Sequence, residues 1–324
     1  MRRAGRQALV SVAGATLGIA LFIWSVERVG AAALVDAVRR VGWGAVAIVA
    51  IGGLRFAVRA QCWRLCLPRG VTLDYPHAFS AFVAGDAVGN VTPLGLLASE
   101  PTKVLLTRHH LATLDSAASL TLENILYTVS VLAMIAFGIS LMLATIPVPG
   151  MIRWAAIAAL FAITALAIAA VVLLRAPAGP LAHPRSSWRG RLRRLRTEVS
   201  RFALEHPRRL VEVFALQVIF HALAVWETYL TLEWLLGAHS PSAVQAVLFE
   251  TVNRLTTVLF KFVPFRLGID EATSGAAASV FAVTAAAGVA LALVRRGRVL
   301  FWSAIGLLLI AAHPATPTDA ASAR

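Results

Sequence analysis

Acid is scarce in this sequence: sixteen Asp and Glu stand against thirty Lys and Arg in 324 residues, and charged residues make up only 14%. So few charges cannot cover a soluble domain, and with 59% of its residues hydrophobic the chain takes the bilayer as its main solvent. Cysteine is limited to Cys62 and Cys66, four apart on one expected helix face; without a His or further Cys at ligand spacing they make a poor metal site and are expected to be free. Missing too are a G-x-x-x-x-G-K-[ST] loop, a G-x-S-x-G elbow and a dinucleotide fingerprint, so ATP coupling within this chain is not expected. No cofactor or metal is expected. The formal charge of +14 reads as membrane orientation and attraction to anionic headgroups, not as nucleic-acid binding.

What is present is apolar sequence in long runs, at 8–24, 42–54, 120–146, 152–174, 210–236, 275–294 and 299–312. Most approach the length a helix needs to cross, which predicts an all-α polytopic bundle of about seven spans. The first run follows "MRRAGR" like a signal peptide, but its core is long and Glu27 and Arg28 follow directly, so a retained first helix is expected. One transmembrane domain then covers residues 1–312: a first half at 1–174, a basic cytoplasmic linker at 175–209, and a second half at 210–312. The tail at 313–324 is expected to be disordered.

Arginine and lysine in short loops stay in the cytoplasm. Four basic clusters serve as fixed points: Arg2, Arg3 and Arg6; Arg59, Arg64 and Arg69; ten arginines against two glutamates between Arg175 and Arg209; and "RRGR" at 295–298. They put the N-terminus in the cytoplasm, and they balance only if residues 77–103 and 243–273 enter the membrane and turn back. Both segments carry a break. Pro93 stands seven residues before Glu100 with Gly95 between, and Pro264 stands seven before Glu271 with Gly268 between. Proline removes a backbone donor and glycine tolerates a turn. Two interrupted segments of opposite entry side, one in each half, are the mark of an inverted repeat with its site near the midplane. Irregular backbone survives at that depth only where it lines a cavity or is buried in protein.

An ionised side chain inside a membrane is costly and is presumed paired or facing water. Asp86, Asn90, Glu100 and Glu123 surround the first break; Glu250, Asn253, Arg254 and Glu271 surround the second. With Pro93, Gly95, Pro264 and Gly268 they are the candidate substrate-binding residues. Glu250 and Arg254, at i and i+4, are expected to neutralise each other. Arg55, Arg59, Lys261 and Arg266 read equally as side chains that snorkel to the nearer interface. His221 shares a span with Glu227 and Glu233 and reads as a structural histidine, with proton relay the alternative. In "WRGRLRRLRTEVSRFALE", Trp188, Leu192, Leu195, Val199 and Phe202 form one apolar stripe, a basic amphipathic helix expected to lie on the cytoplasmic leaflet.

"AFVAGDAVGNVTPLGLLASEPTKVLLTRHH", "ASLTLENILYTVSVLAMIAFG" and "ETVNRLTTVLFKFVPFRLGIDEATSGAAASVFAV" together resemble the lysylphosphatidylglycerol synthase transmembrane family, also described as flippase-like integral membrane proteins. That resemblance implies transport of a lipid between leaflets of a bacterial inner membrane. Its hairpin motifs fall on Pro93, Gly95 and Glu100, and on Pro264, Gly268 and Glu271. The fused synthases append a soluble aminoacyl-transferase domain, and this sequence ends soon after its last apolar run, so aminoacyl transfer is not expected. "FRLGIDEA" is more charged than the family's usual pattern, which bears on headgroup preference. The expected partners are membrane lipids with anionic or polar headgroups, and enzymes of lipid synthesis. The alternatives are a membrane-embedded transferase acting on a lipid carrier and an accessory scaffold of a lipid-synthesis complex.

Overall fold

A computed structural model describes residues 31–92, 95–175, 188–237, 240–260 and 263–312. Among them the regular structure is helical, without a strand: α1 (Ala31–Val41), α2 (Gly44–Leu65), α3 (Tyr75–Val91), α4 (Gly95–Leu106), α5 (Thr113–Thr145), α6 (Gly150–Arg175), α7 (Trp188–Glu205), α8 (Pro207–Leu236), α9 (Ala243–Leu259), α10 (Ile269–Val280) and α11 (Ala285–Ala312). Four are long and apolar enough to cross a membrane: α2, α5, residues Gly150–Ala169 of α6, and α8. The retained first helix, the tail and Lys261 lie outside the described residues.

The centre of the bundle is an antiparallel pair. The Trp234 ring, near the end of α8, lies on Gly44 at the start of α2. At the other end the Cys62 thiol approaches the Val213 carbonyl at 3.8 Å. Both cysteines are free and buried.

Each half adds a helical hairpin to this pair. In the first, Gly85 of α3 faces Lys103 of α4 and Gly89 faces Gly95 and Ser99, so the arms are antiparallel. A Cβ on Gly95 would run into the Gly89 backbone, so at this contact glycine sets how closely the arms can pack. In the second, Thr256 Oγ1 donates to Thr273 Oγ1 at 3.2 Å and Gln245 Nε2 to the Phe281 carbonyl at 2.8 Å, so α9 and α10 are antiparallel too. Their reversal contains the 3₁₀ turn Pro264–Arg266. Because α3 follows the end of α2 and α9 follows the end of α8, the hairpins enter from opposite ends of the bundle.

Helix α11 joins them. Its 28 residues span about 42 Å. Gly288 rests on Ser274 and Ala278 of the second hairpin, and Gly306 rests on Val83 and Ala87 of the first. Between these contacts Val91, Phe265 and Leu300 form one buried cluster, which brings the two chain reversals together on the middle of α11.

This helix corrects one expectation. Residues 275–294 and 299–312 are not two spans around a cytoplasmic "RRGR" loop. The break falls earlier, at residues 281–284, where Ala282 takes φ 56, and Arg295–Arg298 sit inside a continuous helix. The arginines stay within the helix because each of Arg295, Arg296 and Arg298 finds a carboxylate inside the bundle. Helix α7 carries a second correction. Val199 and Phe202 of its apolar stripe are buried against Cys62, Cys66, Leu122 and Val213, so this part of the stripe faces protein, not lipid.

Candidate functional site

The middle of the bundle holds a network of ion pairs. Glu227 on α8 takes Arg55 of α2 at 2.8 Å and Arg298 of α11 at 2.7 Å. Glu250 on α9 takes Arg254 at 2.7 Å and Arg295 of α11 at 3.1 Å. Glu123 on α5 accepts from both Arg59 Nε and Nη2, at 2.6 and 2.7 Å, and from Gln217 Nε2 at 3.0 Å. The Tyr127 hydroxyl lies 3.2 Å from Arg254 Nη1, while the Arg59 guanidinium stacks 3.9 Å from the Tyr127 ring centre. The three glutamates are at most 2% exposed. Charges this deep are held by mutual pairing and by aromatic faces.

Arg55 and Arg59 therefore do not snorkel: reaching a buried carboxylate outweighs reaching the interface, and Arg55 is only 9% exposed. Glu250 and Arg254 neutralise each other as their spacing predicts, with Asn253 Nδ2 adding a hydrogen bond to Glu250 at 3.1 Å. His221 meets Ser130 at 3.0 Å and stacks on Tyr127.

The second hairpin's break is adjacent. Arg296 pairs with Glu271 at 2.8 Å and also donates to the Phe265 and Arg266 carbonyls, so it satisfies backbone that the turn leaves free. Phe265 and Arg266 both take φ 49, and Gly268 takes φ 76 ahead of α10. Arg266 itself is held by Asp270 at 3.0 Å. Pro264 opens the 3₁₀ turn.

The first hairpin differs. Glu100 pairs with Lys103 at 2.8 Å, and the Lys103 ammonium sits 4.1 Å from the Phe82 ring centre, inside the hairpin. Asn90 bridges Asp86 at 3.0 Å and Ser303 of α11 at 3.2 Å. Asp86 itself is exposed and takes no place in the buried network. Pro93 lies outside the described residues. Beside this hairpin, between α4 and α5, runs a cavity of about 690 Å³ lined largely by apolar groups, with Glu100, Arg108 and Asn124 among its walls. It is partly open, suited to a flexible apolar chain with a polar end.

Five charged residues of the network are not among the sequence candidates: Arg55 and Arg59, which read equally as snorkelling side chains; Glu227; and Arg295 and Arg298, expected beside a cytoplasmic loop. One signal was available for the last two, since residues 281–312 contain no proline and "RRGR" has no turn-forming pair. Among the described residues no cluster of three His, Cys, Asp or Glu could hold a metal ion.

Residues 10–306 match the family model described as the lysylphosphatidylglycerol synthase TM region. No curated protein and no solved structure matches the chain.

Proposed function

From the premise that the chain belongs to the lysylphosphatidylglycerol synthase transmembrane-region family, we propose that it moves a polar or anionic lipid between the leaflets of a bacterial inner membrane. The lipid is relocated, not chemically altered. One observation carries this reading: two interrupted hairpins, entering from opposite ends, meet at Val91, Phe265 and Leu300 beside a buried ionic network. Such an arrangement fits an inverted repeat whose halves alternate around a central site.

Further support comes from which elements pack together. Helix α3 of the first hairpin packs on α11, which follows the second hairpin; α9 of the second hairpin packs on α5, which follows the first. The ion pairs echo this exchange: Arg59 of α2 meets Glu123 of α5, and Glu227 of α8 meets Arg298 of α11. With α11 as one crossing helix, and the first helix retained, the topology has about six spans of the required length plus two re-entrant hairpins. The N-terminus and the end of α11 both face the cytoplasm. The headgroup passes through the polar centre while acyl chains stay in hydrocarbon, and the cavity at Glu100 is a lateral entrance for them.

Reconstitution tests the reading. Vesicles holding the purified protein are expected to move a fluorescent phospholipid between leaflets, and Glu271→Gln and Glu100→Gln to abolish that movement while the protein still elutes as a folded species. Unchanged movement in both variants removes these carboxylates from the site. No movement with the unaltered protein refutes the function.

A further inference from the structure

Among the described residues the central network is not electrically neutral. Five arginines (Arg55, Arg59, Arg254, Arg295 and Arg298) face three glutamates (Glu123, Glu227 and Glu250), an excess of two positive charges. Adding the neighbouring turn does not change this, because Arg266 and Arg296 are matched by Asp270 and Glu271. Glu123 is committed to Arg59 by two bonds, so the shortage falls on Glu227 and Glu250, each shared between two guanidinium groups.

Unused donors mark the same place. Arg55 Nε and Arg254 Nε are buried and have no hydrogen-bond partner among the described residues. Both guanidinium groups lie over the Phe220 ring, at 4.7 and 5.2 Å from its centre. An aromatic face offsets part of a cation's desolvation but accepts no strong hydrogen bond. A buried donor without a partner costs free energy, as does a buried charge without a counter-charge.

We infer that Arg55, Arg254 and Arg298 form a seat for a phosphate-ester anion. This deepens the lipid-transport reading and rests on it: the substrate class is a lipid whose headgroup carries phosphate. Guanidinium forks match the spacing and charge of phosphate oxygens better than they match hydroxyls. A sugar headgroup would supply hydroxyls but leave the two charges uncompensated, and a cationic group would add to them. The position also fits. Arg298 lies two residues before Leu300, which touches both chain reversals, and Arg254 lies on the last turns of α9 before the second reversal.

Direct binding to the full-length protein in neutral detergent tests this without requiring transport. The probes are dihexanoylphosphatidylglycerol, a short-chain diacylglycerol glucoside and inorganic phosphate, followed by isothermal titration. The phosphate-bearing lipid is expected to bind and the glucoside not to. Arg254→Gln and Arg298→Gln are each expected to weaken that binding roughly ten- to hundredfold, as for loss of a charge-assisted hydrogen bond. Arg55→Gln serves as the third variant, because Glu227 keeps Arg298 when Arg55 is lost. Equal binding of the glucoside, or unchanged binding of the phosphate lipid in every variant that folds, overturns the seat. Inorganic phosphate binding as tightly as the lipid supports the seat but assigns it to a free anion. Lipid movement that survives loss of phosphate binding overturns the seat alone. Phosphate binding in a protein that moves no lipid supports the seat and overturns the transport reading.

Discussion

Glu227→Gln offers the sharpest test of how the centre is held. The carboxylate is 2% exposed and is the ion-pair partner of both Arg55 and Arg298. Glutamine keeps the shape and removes the charge, so the local excess rises from two positive charges to three. Removing one partner of a buried ion pair costs about 3 to 5 kcal/mol. With two guanidinium groups stranded at once, the upper part of that range is expected. Adding Arg298→Met removes one of the stranded charges, and the double variant is expected to recover about 1 to 3 kcal/mol relative to the sum of the single changes. The assay is reversible unfolding of the purified protein in mixed micelles, with Glu233→Gln as a control at a half-buried carboxylate on the same helix. If Glu227→Gln is no worse than Glu233→Gln, or the coupling between Glu227 and Arg298 is below about 0.5 kcal/mol, the pairing described here does not hold the bundle together.

Other outcomes follow from the same geometry. Gly297→Cys is expected to resist membrane-impermeant maleimide from either side, because residue 297 lies inside α11; labelling from the cytoplasmic side alone would restore the loop reading. Gly306→Leu is expected to destabilise the protein by about 1 to 3 kcal/mol or more, since its side chain meets the Val83 carbonyl and Ala87, and wild-type stability in the same unfolding assay would contradict that packing. Phe202→Ala is expected to cost about 3 to 5 kcal/mol and to raise the thiol reactivity of Cys66 beside it, measured by rate of alkylation; an unchanged rate would show that α7 does not cover this thiol.

What could be read from sequence was whatever depended on near neighbours. Glu250 and Arg254 are four apart on one helix, and their pairing was legible. The breaks near Gly95 and Gly268 were legible because glycine and proline act locally. The partners of Arg59 and Arg55 stand 64 and 172 residues away, and nothing in one sequence distinguishes an arginine that reaches inward from one that reaches out. The same ambiguity holds for Arg295–Arg298. Arginine in a short loop and arginine within a helix look alike in sequence, and the break at residues 281–284 carries neither glycine nor proline to announce it. The apolar stripe of α7 was visible as a stripe, but its partner was not: periodicity shows that a face is to be covered and not what covers it.

The arginines of α11 also decide how this helix is tied to each half. Within about one turn, Arg295, Arg296 and Arg298 pin this helix to α9, α10 and α8. Prising it from those neighbours would strand cations in a dry interior. Against α3 it sets Gly306 on the Val83 carbonyl and Ala87, Leu300 beside Val91, the Trp302 ring edge-on to Phe79, and the Asn90–Ser303 hydrogen bond. Among the described residues no ion pair crosses that seam, so charge ties α11 to the second half while uncharged packing ties it to the first hairpin.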